Sequence, residues 1–493
     1  MKTRIALIVL LVGLMPTIAH ADVKPNALCS EGMVLQQKTK AKVWGSADQG
    51  EKVTVSFRDQ KASANADGLG RWVVEVATGA AGGPFEMTIA GNNKISYKNV
   101  LVGEVWVCSG QSNMEWSVHA CSNTDREFAT AAPHNPQLRM FTVKKSPQAA
   151  PATETAGTWF DAMPQSVDYF SAAGYFFGRS LQENLKVPVG LIHASCGGTR
   201  IETWMSRSGL DAVQAKEPVP KDPSDNSPSA LYNGMIHPLL NYRIQGAIWY
   251  QGESNAGNAY RYRRLLPGMI EQWRADFKNP DMPFYLVQLA PFTAVSKKPA
   301  ESTWAEVREA QTMTLKLKNT GMAVITDFGS EYEIHPTPKR PVGERLALAA
   351  RAQTYGEKIV YSGPLYTSAK FDKNQAVLSF DHVGGGLATK ELVPMNERKI
   401  TGGTMLADWR VKAGSTSAPL VGFAVCGKDR VFHNAMADIV GDTVVVSSAQ
   451  VAEPIAVRYG WADHPFCNLY NREGLPASPF RTDSFPGLTQ PKQ

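Results

Sequence analysis

The chain has 493 residues, of which 43% are hydrophobic and 19% charged, with a formal net charge of +6. This length predicts two to four domains, and the composition excludes a disordered chain. The positive charges are spread without a block of Lys or Arg, so we expect neither nucleic acid nor an anionic membrane as a partner.

The first segment is typical of a secretory signal peptide. Lys2 and Arg4 precede an apolar run at 5–15, and Ala19-His20-Ala21 offers a small-x-small cleavage site. We therefore predict that 1–21 is removed and that the mature protein is exported, to the periplasm or the extracellular space. No later run approaches the ~20 apolar residues of a membrane span, so we expect no membrane insertion.

Residues 22–100 contain short strand-like runs. Apolar and polar residues alternate at 52–57 and 71–76, and turn signals such as Asp67-Gly68 separate the runs. Several short strands at this spacing are typical of a small β-sandwich. We predict an N-terminal β-sandwich domain over this range.

Residues 101–356 alternate buried strand runs with helical stretches. Apolar residues at helical spacing occur around 173–185, 266–277 and 342–350. The strand runs that alternate with them are 101–108, 187–192, 244–250, 284–289 and 322–326. This alternation predicts an α/β domain with a parallel sheet and helices on both faces. Such sheets carry their sites at the carboxyl ends of the strands.

Residues 357–493 return to a strand pattern, which predicts a C-terminal β domain. The six cysteines of the chain are scattered, without a C-x-x-C motif or a Cys/His group at zinc-ligand spacing. The sequence therefore implies no metal and no cofactor. In an exported protein some cysteines can form disulfides, but their spacing does not select a pairing.

Ser112 follows the first strand of the α/β domain, in the segment Ser109-Gly110-Gln111-Ser112-Asn113-Met114-Glu115. A glycine beside small polar residues at a strand end can make a tight turn that exposes one hydroxyl above the sheet. Ser112 is the candidate nucleophile. The alternative is a serine that only caps the following helix.

His335 is the candidate base, because it lies in a loop after the strand run 322–326 and just before a helix. That loop end can meet Ser112 in space despite the sequence distance. Glu333, two residues earlier, can orient the imidazole, and Asp327 is the second candidate. The alternative for His335 is a hydrogen-bonded structural residue.

Two further strand ends carry glycine and polar clusters, Ser195-Cys196-Gly197-Gly198-Thr199 and Gln251-Gly252-Glu253-Ser254-Asn255. Glycine lets a backbone approach a ligand closely, and an amide side chain can donate to a developing oxyanion. Each cluster alone is an ordinary loop. Four such clusters at strand ends of one α/β domain indicate a hydrolase.

These clusters also carry a family resemblance. The motifs are Val102-Gly103-Glu104-Val105-Trp106, Ser109 to Glu115, Gly197-Gly198-Thr199 with Ile201-Glu202-Thr203-Trp204, Trp249 to Asn255, and Ile334-His335-Pro336. Together they resemble the sialate O-acetylesterase family of the SGNH hydrolases, and similar segments near both ends extend the likeness over nearly the whole mature chain. One position departs from the family, since many relatives have Asp where Glu333 stands.

The resemblance implies an exported serine esterase that removes acetyl groups from an O-acetylated sugar, with Ser112 as nucleophile and His335 as base. It also implies an oxyanion hole made by the Ser112 N–H, a Gly197 or Gly198 N–H and the Gln251 side chain.

Arg200 has two candidate roles. It can pair with a sialic acid carboxylate or form a structural ion pair, for instance with Glu202.

Three functions other than deacetylation of a sialate stay open. The substrate can instead be an acetylated plant polysaccharide such as xylan or xyloglucan. A glycosidase that uses Glu253, or a non-catalytic carbohydrate-binding protein, are the remaining readings.

Overall fold

The fold was analysed in a computed structural model that describes residues 22–215, 220–296, 298–399, 405–412, 414–415 and 418–491. The predicted signal peptide, 1–21, lies outside the described residues. In the described part of the chain, no helix has the length and apolar character needed to cross a membrane.

The amino-terminal and central strands are β1 (Lys24–Pro25), β2 (Val34–Gln36), β3 (Lys40–Ser46), β4 (Lys52–Phe57), β5 (Gln60–Asn65), β6 (Arg71–Ala77), β7 (Gly82–Ala90), β8 (Lys94–Gly110), β9 (Asn135–Thr142), β10 (Trp159–Ala162), β11 (Val189–Ser195), β12 (Gly246–Tyr250), β13 (Phe284–Val287), β14 (Thr320–Ala323) and β15 (Gly329–Ser330). The strands that follow are β16 (Leu365–Asp372), β17 (Gln375–Asp381), β18 (Leu387–Thr389), β19 (Leu392–Lys399), β20 (Met405–Val411), β21 (Phe423–Cys426), β22 (Phe432–Asn434), β23 (Met436–Val440), β24 (Thr443–Ser447), β25 (Ala456–Tyr459), β26 (Leu469–Asn471) and β27 (Phe480–Arg481).

The α-helices are α1 (Ser112–Glu115), α2 (Asn123–Thr130), α3 (Pro164–Val167), α4 (Ala172–Leu185), α5 (Arg207–Ala212), α6 (Ala259–Asp276), α7 (Thr303–Thr314) and α8 (Arg340–Gln353). Short 3-10 helices cover Val118–Ala120, Ile201–Trp204, His237–Leu239 and Glu253–Asn258, and a π-helix covers Tyr232–Ile236.

The central sheet has the strand order β10-β9-β11-β8-β12-β13-β14. All neighbours from β9 to β14 are parallel, and only β10 runs antiparallel to its neighbour. This confirms the predicted mixed α/β fold, and the strands from β9 to β14 in this order form the parallel part of a larger mixed sheet. After β8 the chain forms β9, β10 and then β11 on one side of it, and β12 is added on the other side. A ligand site is therefore expected beyond the carboxyl end of β8.

Helices cover both faces of this sheet, as the apolar spacing predicts. Alternate residues of β8 supply two separate cores, because successive side chains of a strand point to opposite faces. Val105 and Val107 belong to a core shared with α6 and α7. Trp106 and Cys108 belong to a core shared with α4 and α8.

The predicted boundary at residue 100 falls inside a continuous strand. The first half of β8 pairs with β7 and β2, and its second half pairs with β11 and β12. The amino-terminal strands and the central sheet are therefore joined by one strand rather than by a linker. Strands β4 and β5 extend the same large sheet through β7, and β1, β3 and β6 form a separate small sheet.

The strands after residue 364 form several small antiparallel sheets around a third core. One of these sheets reaches back to the central region, because β20 pairs with both β19 and β15. Strand β15 belongs to the segment that leads to His335. The antiparallel pair of β19 and β20 therefore borders the loop that carries the candidate base.

The structure adds two strands and the state of the cysteines to what the sequence predicts. Strand β9 and the edge strand β10 were not predicted. All six cysteines, which lie in the described part of the chain, are buried free thiols without a disulfide.

Candidate active site

Ser112 is the first residue of α1, which begins where β8 ends. The turn between them needs Gly110, whose φ is +140°. A Cβ at this position would overlap the Tyr250 carbonyl oxygen on β12. Gly110 thus lets the chain turn sharply and leaves Ser112 partly exposed at the carboxyl end of the central strand.

Ser112, His335 and Glu333 are joined by two hydrogen bonds. The Ser112 Oγ lies 2.8 Å from His335 Nε2, and His335 Nδ1 lies 2.8 Å from Glu333 Oε1. The same carboxylate oxygen also accepts from the His335 backbone N–H at 3.0 Å. A carboxylate can only accept, so Nδ1 carries the proton and Nε2 is left to accept from the Ser112 hydroxyl.

The surroundings of His335 favour the neutral form of its imidazole. Its burial lowers the pKa below the usual range for histidine, and the Glu333 carboxylate opposes this effect. The ring also stacks on Trp116, with 4.6 Å between ring centroids and 17° between planes. A neutral, fixed imidazole beside a hydroxyl is the arrangement of a general base and its nucleophile.

Asn113 and Lys339 fasten the His335 loop to the Ser112 helix. The Asn113 side chain donates to the Ile334 carbonyl at 3.2 Å, and the Lys339 ammonium donates to the Pro336 carbonyl at 2.6 Å. Lys339 Nζ also donates to Asn113 Oδ1 at 2.7 Å. The backbone carbonyls on both sides of His335 are therefore held by groups beneath the site.

This network continues to a buried carboxylate. Asn113 Nδ2 donates to Glu253 Oε1 at 2.7 Å, and burial raises the pKa of Glu253. Burial lowers the pKa of Lys339 to about 8, with nearby Glu253 and Asp125 opposing it. Glu253 is 9% exposed and faces this network, which does not suit a glycosidase acid that must reach a solvent-side bond.

Two backbone N–H groups beside Ser112 are available as oxyanion donors. Within the described part of the chain, neither the Ser112 nor the Gly198 N–H donates to a protein acceptor. Gly198 has φ +70°, and the space around its Cβ position is open to 4 Å. The neighbouring Gly197 N–H is not available, because it donates to Glu115 Oε2 at 2.7 Å.

The structure does not bring the Gln251 side chain into this group. Its amide donates to the Thr199 carbonyl at 3.1 Å and to Asn255 Oδ1 at 2.8 Å. Its oxygen accepts from the Tyr262 hydroxyl, and the residue is fully buried. Both amide protons are therefore used inside the protein. Gln251 instead anchors the turn that carries Gly198, one residue before Thr199.

Asp327 lies elsewhere in the same loop and does not contact His335. Both of its carboxylate oxygens accept from the Arg345 guanidinium at 2.7 Å, and the residue is 4% exposed. Of the two acids considered for orienting the imidazole, the geometry therefore selects Glu333.

Arg200 lies two residues after Gly198 and is partly exposed. Its backbone N–H donates to Asn226 Oδ1 at 2.8 Å, and its guanidinium donates to the Asn226 carbonyl. Glu202 is buried and accepts from Asn255 Nδ2 at 3.0 Å. Arg200 thus stands beside the Gly198 turn, where Asn226 holds it.

Several contributing residues were missed by the sequence analysis. They are Asn113 and Glu115 in the Ser112 motif, Trp116 just after it, and Lys339 four residues after His335. Asn113 and Glu115 lie in the motif of the candidate nucleophile, but their polar partners are distant in sequence, so the motif alone does not indicate their roles. Across the residues described, no group of three or more His, Cys, Asp or Glu is placed to hold a metal ion.

Comparison with known families and proteins gives consistent matches. A family model described as carbohydrate esterase, sialic acid-specific acetylesterase, matches residues 102–352. Sialate O-acetylesterases of Pongo abelii and Homo sapiens are each 32% identical to this chain over 511 aligned residues, covering 92% of both chains in each comparison.

A solved structure agrees with these sequence relatives. It is a carbohydrate acetylesterase from Xanthomonas citri, which superposes with a TM-score of 0.82 at 41% sequence identity. The alignment covers 94% of this chain and 100% of that one. The similarity therefore includes the β regions on both sides of the central sheet.

Proposed function

Since this chain belongs to the carbohydrate esterase family of sialic acid-specific acetylesterases, and is therefore an esterase, we propose that Ser112 and His335 carry out its deacetylation chemistry. The substrate is an acetyl ester on a sugar hydroxyl. The products are acetate and the free sugar.

The first half of the reaction transfers the acetyl group to the enzyme. His335 Nε2 takes the proton as Ser112 Oγ attacks the ester carbonyl, and Glu333 stabilises the imidazolium that forms. The Ser112 and Gly198 N–H groups donate to the oxyanion of the tetrahedral intermediate. When the intermediate collapses, the C–O bond to the sugar breaks and His335 returns the proton to the sugar oxygen.

The second half releases acetate. Water gives a proton to His335 as its oxygen attacks the acetyl-Ser112 carbonyl, and the same N–H groups hold the second oxyanion. The Ser112–acetyl bond breaks, and His335 reprotonates Ser112 Oγ. Each half forms one acyl bond and breaks one, so the enzyme returns to its starting state.

The observation that carries this proposal is the continuous hydrogen-bond chain from Ser112 Oγ through the imidazole to Glu333 Oε1, with 2.8 Å at each step. A serine that only capped a helix would not need a hydrogen bond to an imidazole that is itself oriented by a carboxylate.

Two observations support the proposed substrate. The relatives named above act on sialate or carbohydrate acetyl esters, by their names. Arg200, beside the Gly198 turn, can pair with a carboxylate such as that of sialic acid. Acetylated xylan or xyloglucan is the second candidate, because the ester chemistry is common to both. We also propose that the protein is exported, on the support of the leader-like residues 1–21.

The test measures acetate release from O-acetylated sialic acid and from acetylated xylan, with the parent enzyme, Ser112→Ala and Glu253→Gln. We expect release by the parent and its loss in Ser112→Ala, with one substrate clearly preferred. Release that survives Ser112→Ala overturns the nucleophile assignment. New reducing ends are measured in the same incubations, and their formation by the parent and Ser112→Ala but not by a folded Glu253→Gln would favour the glycosidase reading instead.

A further inference from the structure

A groove with a volume of about 870 Å³ lies between the central domain and the carboxyl-terminal β region. One wall consists of residues 295–296 and 298–301 with Glu331, and the other comes from strands of the carboxyl-terminal region. Ser112 and His335 are not among its lining residues. The volume falls within the roughly 300 to 1,000 Å³ of small-molecule sites, which often lie between domains.

The walls combine aromatic rings with charged and amide groups. Trp409, Phe432 and Phe466 are half-buried, so part of each ring faces the groove. Polar groups around them include Lys298, Glu301, Arg430 and Asn434. A ligand that fits this lining has apolar C–H faces and many hydrogen-bonding groups.

Arg458 makes the middle of the groove rigid. Its guanidinium lies 4.1 Å from the Phe432 ring centroid and 5.1 Å from that of Trp461. It donates to Asp483 at 2.9 Å and, across the groove, to Glu301 at 2.8 Å. The Arg458 side chain is only 4% exposed. The two walls are thus tied together in a preorganised arrangement.

The groove reaches the loop that carries Glu333 and His335, because Glu331 belongs to both. Glu331 lines it and accepts from the backbone N–H groups of Val295 at 2.8 Å and Ala407 at 2.9 Å. Glu331 is four residues from His335, so their Cα atoms are within about 15 Å of each other. A chain of a few sugar rings can span this distance.

We propose that this groove binds the sugar chain that carries the acetyl ester, while the ester itself reacts at Ser112. The inference rests on the proposed function and extends it from an acetylated sugar to an acetylated oligosaccharide. Sugar rings present C–H faces to the aromatic side chains and hydroxyls to the charged rim. A lipid chain would leave Glu301, Lys298 and Arg430 facing hydrocarbon, which is unfavourable.

The test fills the groove without touching the triad. Ala300 is exposed on one wall, so Ala300→Trp places a large ring in the ligand volume. Ala80→Trp, at an exposed turn of the amino-terminal region, is the matched control. Substrates are O-acetylated sialyllactose and acetylated xylotetraose, each compared with its acetylated monosaccharide, and with 4-nitrophenyl acetate.

We expect Ala300→Trp to lower kcat/KM for the longer substrate at least about ten-fold more than for the monosaccharide ester, mainly through KM. Ala80→Trp changes none of these ratios. The oligosaccharide pair that shows the effect identifies the source of the chain. Equal effects on long and short esters in both pairs overturn the groove proposal and leave the esterase proposal intact.

Binding is also measured without turnover. Ser112→Ala enzyme is titrated with acetylated xylotetraose and with O-acetylated sialyllactose by calorimetry, with and without Ala300→Trp. We expect Ala300→Trp to raise Kd at least about ten-fold for one of them. Unchanged Kd values for both overturn the proposal, whatever the kinetic result.

Discussion

Glu333 fixes the tautomer of His335 by accepting its Nδ1–H at 2.8 Å. An amide at this position can present its NH₂ group to Nδ1 and favour the wrong tautomer. We therefore expect Glu333→Gln to lower kcat by about 10³ to 10⁴-fold. The acid limb of kcat/KM should also move to lower pH, because the carboxylate raises the His335 pKa. Steady-state kinetics between pH 4 and 9, roughly the range of histidine titration, measure both effects.

Glu333→Asp serves as the control for this prediction, because it keeps the carboxylate and shortens the side chain. It should retain much more activity than Glu333→Gln. Equal activity of Glu333→Gln and the parent enzyme would remove Glu333 from the mechanism.

Lys339 acts on His335 in the opposite electrostatic direction, because its charge lowers the His335 pKa. Lys339→Met removes that charge and the anchor on the Pro336 carbonyl. We expect the acid limb of kcat/KM to move to higher pH, with a lower kcat at its plateau. A pH profile that keeps the parent's limb contradicts this role, provided that circular dichroism shows a folded variant.

At the residue scale, the sequence predicts the role of a side chain when that role follows from the residues next to it. Ser112 and His335 lie in short motifs at strand ends, so the sequence is enough to predict both as candidate site residues. The roles of Lys339 and Gln251 depend on partners distant in the chain, such as Asn113 and Thr199. An amide beside a glycine cluster looks like an oxyanion donor until its partners are known.

The turn from β8 into α1 depends on Gly110, which has φ +140° and no room for a Cβ beside the Tyr250 carbonyl. We expect Gly110→Ala to destabilise the protein by about 3 kcal/mol or more, because backbone strain and a backbone clash add. Gly50→Ala is the control, since Gly50 has φ +78° but open space around it. Its cost should be about 1 kcal/mol.

Thermal or urea unfolding of both variants measures this difference. Equal destabilisation by Gly110→Ala and Gly50→Ala would show that the close approach to Tyr250 is not significant.

At the element scale, strong periodicity made α4, α6 and α8 predictable. The apolar residues proposed for α6, such as Ile270 and Trp273, are fully buried. Strand β9 was missed because it has a proline as its second residue and mixes Gln and Arg with apolar residues. The pairing of β15 with β20 joins segments about 80 residues apart, and no local pattern indicates it.

The burial of the six cysteines predicts how their thiols react in the folded and in the unfolded protein. Burial raises the thiol pKa of all six, to about 12 for Cys29 and about 11 for Cys467, so the reactive thiolate is scarce at neutral pH. We expect no rapid reaction of the folded protein with Ellman's reagent, and six reactive thiols after unfolding in denaturant. Fewer than six under denaturing, non-reducing conditions would indicate a disulfide.

At the scale of the whole molecule, composition and strand patterns indicate an α/β region between two β regions, and the bounds of these regions stay a prediction. These patterns could not predict that β8 runs through the first boundary and belongs to both sides. Sequence patterns show where strands lie but not which strands pair across regions. The groove beside Arg458 is likewise visible only once both of its walls are assembled.

The central claim is that Ser112 carries the acetyl group between the sugar and water. The most direct measurement incubates the enzyme with 4-nitrophenyl acetate, stops the reaction in acid, and maps acetylated peptides by mass spectrometry, with Ser112→Ala as the control. We expect one acetyl group on Ser112 in the parent enzyme and none in the variant. An active parent enzyme whose acetyl group is found on another residue, or is retained in Ser112→Ala, would contradict the claim.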